Sequence, residues 1–330
     1  MTRNRIAALF LTVMVTATAA RAETVRIARQ FGISYLPLIL MQDAHLLEQE
    51  GRARGLDLTP EFLTFTGGAP INDALISGSI QIASGGVGPM LTMWSRTRTN
   101  LKVKAIAALG NMPVWLMTSR PEIHAVTDFT DRDRIALPSV KVSVQAVLLQ
   151  MAARQTFGPG QEFRLDRLTV SMGHPDGMTA LTSGSSEITA HFTAAPFMYE
   201  EEASPRLHRV LSSYDVMGGP HTFNLVWTTT RYHDANPKVI EAFLAALDKS
   251  LAMIREHPLE AAATWARVEK AKLTPEEIAD MIRRPENEWT SVPKGIMRFA
   301  EFMTETAALP AKPADWREVF FPAAQAMPGS

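Results

Sequence analysis

The 330-residue chain contains no cysteine. That absence excludes a disulfide framework, thiolate metal sites, a cysteine nucleophile and a lipid-bearing amino-terminal cysteine. Common enzyme signatures are missing as well: there is no G-x-S-x-G elbow, P-loop, H-E-x-x-H pair or dinucleotide fingerprint. Nothing in the motifs therefore calls for a catalytic residue or a cofactor. An excess of positive charge is also lacking. With 33 Lys and Arg against 34 Asp and Glu, the chain has no electrostatic footprint for nucleic acid. Beyond the amino terminus there is no uncharged apolar run approaching the roughly 20 residues that span a bilayer.

What is present starts with an export signal. Arg3 and Arg5 form a basic head, Ile6 to Val15 an apolar core too short for a comfortable membrane span, and Ala20-Arg21-Ala22 a small-residue cleavage pattern before Glu23. Cleavage at that point makes residues 1–22 a signal peptide and the mature chain a soluble, exported, periplasmic protein. Losing Arg3, Arg5 and Arg21 and no acid takes the formal charge from −1 to −4. With 46% hydrophobic residues and no cross-links, the exported chain must rely on one or two buried cores.

Strand-like and helix-like patterns alternate, which predicts an α/β fold. Strands are expected at Thr24–Ala28, Leu58–Phe65 and Ile80–Ser84. Helices are expected at Leu36–Gln49, with Gly51 as the stop, and at Ile71–Ser77, Met90–Trp94 and Val142–Ala153. The last third is mostly helical: Lys238–Glu256 carries an amphipathic stripe, and Leu259–Val268, Pro275–Arg284 and Lys294–Ala307 follow.

Two internal echoes suggest a doubled architecture. Ala74–Ser84 and Ala180–Ala190 share Ala, Leu, Ser, Gly, Ser and Ile at matching positions, each reading as helix end, glycine stop and short strand. A weaker echo pairs Leu116–Arg120 with Trp227–Arg231. They suggest two α/β lobes facing across a cleft, with residues 23–115 plus 225–330 in a discontinuous first lobe and 116–224 in the second. Ligands of open α/β sheets bind beyond the carboxyl ends of the strands. The echo then sets Ser84, Gly85, Gly86 and Val87 opposite His191 and Phe192 on facing turns.

Several loops precede helices, where free backbone N–H groups and positive partial charge attract anions. Gly32–Tyr35, Gly67–Pro70, Gly85–Pro89 and Pro138-Ser139 are of this kind. Ser34, Tyr35 and Ser139 are therefore expected to complete the cleft. His191 is expected to donate to ligand oxygen, Phe192 and Tyr35 to wall the apolar part, and His221 to lie near the return crossing. Phe31 and Trp115 read better as core. A zinc set of His174, His191, His208 and His221 matches no metal spacing. Lys141 is the one base near these loops, with Arg120 at the crossing, so the ligand reads as a monoanionic or neutral organic solute: a sulfonate, carboxylate or heterocycle.

The ordered features resemble the nitrate/taurine/aliphatic-sulfonate type of ABC-transporter substrate-binding proteins over about 24–258. The likeness is carried by Gly32 to Pro37, Gly55–Leu58, Asp73–Leu75 with Ser77-Gly78, the Gly85–Pro89 loop, Asp128-Phe129 before Arg134–Pro138, Ala195–Phe197, and Asn236–Val239 with Phe243-Leu244. Asp131–Asp133 and His191–Ala194 depart from the family pattern. The resemblance implies a two-lobe, type II-like periplasmic-binding-protein fold, a small-molecule ligand, a transient inner-membrane permease partner and a monomer. A ligand sensor or scavenger is the alternative reading, and an enzyme on the same scaffold a third. The fold also resembles a pyrimidine-forming suicide enzyme of thiamine biosynthesis whose iron site is cysteine-rich, which a cysteine-free exported chain cannot reproduce. Intact-mass analysis of protein from the cell envelope is expected to find the mature chain beginning near Glu23; retention of residues 1–22 would refute the cleavage site.

Overall fold

The computed structural model describes residues 23–330; the expected signal peptide lies outside them. The chain starts with β1 (Glu23–Arg29), a tight turn at Ile33–Tyr35, α1 (Leu36–Asp43), α2 (Leu46–Ala53), β2 (Leu58–Thr64), α3 (Gly68–Ile76), β3 (Ala83–Gly86), α4 (Val87–Arg96) and β4 (Lys104–Asn111). It crosses into β5 (Trp115–Thr118), β6 (Ile135–Leu137), α5 (Val144–Phe157), β7 (Thr169–Ser171), α6 (His174–Ser183), β8 (Ala190–Thr193), α7 (Phe197–Glu202), β9 (His208–Ser212) and α8 (Ser213–Met217). It returns through β10 (Thr222–Thr228) and continues as α9 (Thr230–Ala235), α10 (Pro237–Glu256), α11 (Pro258–Glu269), α12 (Pro275–Arg283), α13 (Ile296–Glu305) and α14 (Pro322–Gln325).

The strands build two lobes. In one, β1 pairs in parallel with β2, and β3 and β4 flank β10 in antiparallel register. Ala28 N donates to Ile82 O and Ser84 Oγ to Ala28 O at 2.5 Å, tying β1 to the β3 edge. In the other lobe, five strands run in the order β7-β6-β8-β5-β9. Here β6 is parallel to β7 and β8, while β5 is antiparallel to β8 and β9. The echo segments fall in different sheets: β3 in one lobe, β8 in the other.

Two chain crossings join the lobes, and buried polar groups clamp them together. Val114 N donates to Ser213 Oγ and Ser213 N to Val114 O, both at 2.9 Å. Thr222 Oγ1 donates to Asn111 Oδ1 at 2.8 Å and accepts from Lys294 N at 2.8 Å. A carboxy-terminal strap binds the junction. Glu288 exchanges both backbone hydrogen bonds with Asn111, and Asn287 Nδ2 and Glu286 O bond Tyr199 and Tyr214 of the five-stranded lobe.

Most expected elements appear within a few residues, and the departures have physical causes. The single helix expected over Leu36–Gln49 is two helices, broken at His45 in the left-handed region (φ 51). α1 is buried from Leu36 to Met41, packed against α2, α10 and α11, while α2 buries one face. The break reorients one segment relative to the other without any Gly or Pro to announce it. Gly51 does not stop α2. It lets the helix lie on β2, since a Cβ there would come within 2.7 Å of the Leu58 side chain; Gly55 (φ +76) ends the turn.

The first echo is the same local motif twice. α3 and α6 each end at a left-handed glycine, Gly78 (φ +76) and Gly184 (φ +67), before β3 and β8. Both glycines face open space, so an added methyl meets only backbone strain. Gly78→Ala and Gly184→Ala are each expected to destabilise by about 1 kcal/mol, read as a lower urea midpoint; no change in either would show that the left-handed turn is not required.

Candidate functional site

Where the lobes meet, the carboxyl ends of β1, β3 and β6 and the amino ends of α4, α5 and α6 converge. The cleft between them is lined by Gln30, Phe31, Tyr35, Gly86, Phe223 and Asn224 on one side and by Pro138, Ser143, Val144, Gln145 and His174 on the other. Among the described residues, no Asp, Glu, Lys or Arg lines it. The lining is aromatic rings plus neutral hydrogen-bonding groups, the mixture usual for small organic ligands.

The lobes are closed on each other. Ile33 N donates to Ala195 O across the cleft at 2.9 Å. A Cβ at Gly67 would lie 2.5 Å from both Pro138 O and Ser139 Oγ, and one at Gly88 would lie 2.5 Å from Val142 O. These glycines allow backbone of one lobe to touch backbone of the other. The space left inside is about 20 Å³, roughly the room one water needs, so entry of an organic solute requires the lobes to part.

Buried polar groups point into this space. Asn224 is 1% exposed; its Nδ2 donates to Ser34 Oγ at 2.8 Å, and its Oδ1 has no partner. Behind the opposite wall runs a chain of ionisable groups. His174 Nδ1 meets His191 Nε2 at 3.0 Å, and His191 Nδ1 meets Glu201 Oε1 at 2.6 Å. His174 Nε2 lies 3.3 Å from the Gln145 amide, and its ring stacks on Phe197. Burial pushes both imidazoles well below their ordinary range and the Glu201 carboxyl well above its own. Burial likewise raises the Tyr35 phenol, partly opposed by Arg29.

Of the residues expected from sequence, Tyr35 and Gly86 line the cleft. Ser34 supports Asn224, and Ser139 touches the facing lobe at Gly67. Ser84, Gly85 and Val87 lie one layer back. Ser84 bonds Ala28, Gly85 packs against Gln30 and the Trp227 indole, and Val87 starts α4 fully buried. The turn expected at His191-Phe192 is corrected: both residues are inside β8 with no exposure. The strand runs on to Thr193, so the loop at its carboxyl end is Ala194–Pro196. Phe192 is core, and His191 stands behind His174. His221 is also away from the cleft, at the return crossing. Its Nδ1 donates to Thr222 O at 2.9 Å, its Nε2 accepts from Ser213 Oγ at 2.8 Å, and its ring sits edge-on to Tyr214 and Phe299. Phe31, read from sequence as core, lines the cleft.

Gln30, Gln145, His174, Phe223 and Asn224 were not anticipated there. His174 had a signal: Gly173-His174-Pro175 is a glycine followed by a helix-starting proline, the pattern of the other cleft loops. Asn224 had none, being one of three polar residues in β10, every residue of which is buried.

Residues 52–261 match the model of the NMT1/THI5-like family. The chain belongs to that family. Among solved structures, the same fold recurs at low identity. The periplasmic aliphatic sulphonate binding protein SsuA of Escherichia coli aligns with TM-score 0.64 and 18% identity, over 91% of this chain and 99% of its own. The alkanesulfonate-binding protein SsuA of Xanthomonas axonopodis pv. citri, bound to MOPS, gives TM-score 0.68 and 18% identity over 93% and 99%. The periplasmic nitrate-binding protein NrtA of Synechocystis PCC 6803 gives 0.67 and 16% over 88% and 83%. The fold is thus that of two-lobe periplasmic binding proteins. No curated protein matches the chain by sequence. Among the described residues, no helix is long and apolar enough to cross a membrane.

The histidine at the crossing generates a pH test. Burial lowers His221 from 6.5 to about 4, with the Thr222 carbonyl partly opposing. The unfolded chain therefore binds a proton between those values that the folded chain refuses, and stability is lost as pH falls through that window. At about 1.36 kcal/mol per pH unit the loss from this residue reaches roughly 3 kcal/mol. His221→Gln is expected to be less stable than wild type at neutral pH and to lose less stability on acidification, as followed by thermal melting; parallel pH profiles would remove this role.

Proposed function

We propose that the protein is a periplasmic solute-binding receptor that captures a small organic solute between its lobes and delivers it to an inner-membrane ABC permease. The solute is anionic or neutral, of the sulfonate, carboxylate or heterocycle kind. Residues 23–115 with 225–330 act as one closing unit and 116–224 as the other, except that strand pairing puts Trp115 of β5 with the second unit and Thr222–Asn224 of β10 with the first. Tyr35, Gly86, Gln145, His174 and Asn224 contact the solute, with Ser34 and Ser139 holding the two rims.

The observation that carries this reading is the cleft mouth. Glycines of one lobe abut backbone of the other around an aromatic, charge-free pocket. Such contacts have no value to either lobe's own core; they matter to a molecule that opens and closes about a hinge. The family and the shared fold support the same reading.

The reading is tested by titration calorimetry with a panel of small sulfonates, carboxylates and heterocycles, combined with small-angle scattering. A cognate solute is expected to bind and to compact the protein. Gly67→Val places a side chain where Pro138 and Ser139 must sit on closure. It is expected to weaken binding at least about tenfold, or 1.4 kcal/mol, while leaving the melting temperature of the solute-free protein within a few degrees. Undiminished affinity in that variant would show that closure on this face is not part of binding.

A further inference from the structure

The Glu201–His191–His174 chain is costly. It places three ionisable side chains with at most 6% exposure in one lobe, where well-packed apolar residues would serve stability as well or better. It also has a direction. One end, Glu201, is shut in the interior; the other, His174, forms the wall of a cleft that has no fixed cation. We propose that these three residues are a proton relay that supplies, on His174, the positive charge needed to hold a monoanionic solute. The proposal rests on the reading of the cleft as the solute site and names the class of solute.

The hydrogen-bond geometry defines two states with the same number of protons. In the resting state Glu201 is a neutral acid donating from Oε1 to His191 Nδ1, and His191 Nε2–H donates to His174 Nδ1. Glu201 Oε2 has no partner, a vacancy tolerable for a carbonyl oxygen and costly for a carboxylate. When an anion arrives, the Glu201 proton passes to His191 Nδ1 as the His191 Nε2 proton passes to His174 Nδ1. Two protons each move across one hydrogen bond, of 2.6 and 3.0 Å. Glu201 becomes carboxylate, His191 stays neutral in its other tautomer, and His174 becomes imidazolium, its Nε2–H turning from the Gln145 side chain 3.3 Å away to the solute. Without the anion, charge separation in this buried place is unfavourable, so the cleft returns to neutrality as the solute leaves.

The surroundings leave the relay to itself. His174 is faced by His191 on β8, Gln145 on α5 and Phe197 on α7, and His191 is the titratable group in direct contact with it. Glu200, beside Glu201 on α7, is half-buried, and that burial holds its own carboxyl above its ordinary range. Asp176, on the first turn of α6, lies on the side of Gly173 that faces Thr66 of the other lobe. Gly177 is packed against the His191 ring, where a Cβ would come within 2.7 Å of Nε2, and fixes the ring between its two partners.

The experiment is histidine nitrogen NMR on the full chain near neutral pH, with methanesulfonate and acetate as probes and backbone amide shifts of Gly86 and Asn224 reporting cleft occupancy. In wild type both imidazoles are expected to read neutral without probe, and His174 to take up imidazolium shifts as the probe fills the cleft. Glu201→Gln keeps a donor to His191 but has no proton to transfer. It is expected to leave His174 neutral and to weaken probe binding about tenfold or more. His174→Gln, at the cleft wall, gives the same loss should the Glu201 variant fold poorly. A probe that occupies the cleft while His174 stays neutral, or that binds Glu201→Gln as tightly as wild type, overturns the relay and leaves the receptor reading standing. Entry of neutral heterocycles but of neither anion overturns the monoanion class. Failure of every solute to move the Gly86 and Asn224 amides would overturn the receptor reading itself.

Discussion

Everything that happens in the cleft depends on how the two crossings are held. The chain passes between lobes at 112–114 and again at 218–221, and these segments must move as one hinge if the cleft walls are to meet in register. The buried bond from Thr222 Oγ1 to Asn111 Oδ1, continued to Lys294 N, makes them one unit. Ser213 joins the first crossing to the second by bonding both Val114 and His221. Asn111, Val114, Ser213, His221 and Thr222 are wholly buried, so an unmade bond among them would leave a desolvated polar atom with no water to replace the partner. That penalty ties the crossings together more firmly than packing alone. The strap through Glu286–Glu288 adds a third connection from the carboxy-terminal helices.

From this junction the cleft follows. With the crossings clamped, β3 and β6 aim their carboxyl ends at each other. Backbone contact at Gly67 and Gly88 sets how far closure can go. The interior is then a tight space of about 20 Å³, and Asn224 Oδ1 faces it without a hydrogen bond to any described protein group. A solute that satisfies it gains more than it would in water, because the dielectric around it is low. Selectivity in such a cleft comes from matching the few polar groups rather than from net charge, and the histidine–glutamate chain behind one wall fits that economy of fixed charge.

Much of the architecture was legible in the sequence because it rests on repeated local signals. The apolar periodicity of Lys238–Glu256, Pro237 at its start and Pro258 after it mark α10 within a residue. The echo around Gly78 and Gly184 reports the same helix-to-strand turn because each helix must end in a left-handed residue before a strand begins. The site was only partly legible. Tyr35 and Gly86 could be placed, since a loop before a helix and at a strand end carries its own pattern. His191 was misplaced because the echo stops at Ala190 while β8 continues through Thr193; three further residues in a strand turn an expected loop into core.

Sequence alone therefore settled the α/β class, the doubled lobes, the absence of thiol chemistry and the export signal as an expectation. Each of these is written in composition, periodicity or a short contiguous motif. Tertiary structure alone decided which polar residues reach the cleft and which are buried behind it. Asn224 and His174 are 50 residues apart along the chain and join one pocket because the two lobes meet edge to edge. His174, His191 and Glu201 lie in a helix, a strand and another helix, and they become a chain because those elements pack with their side chains at 2.6 and 3.0 Å. Nothing in the spacing of those residues carries that distance; it is a property of the packed lobe.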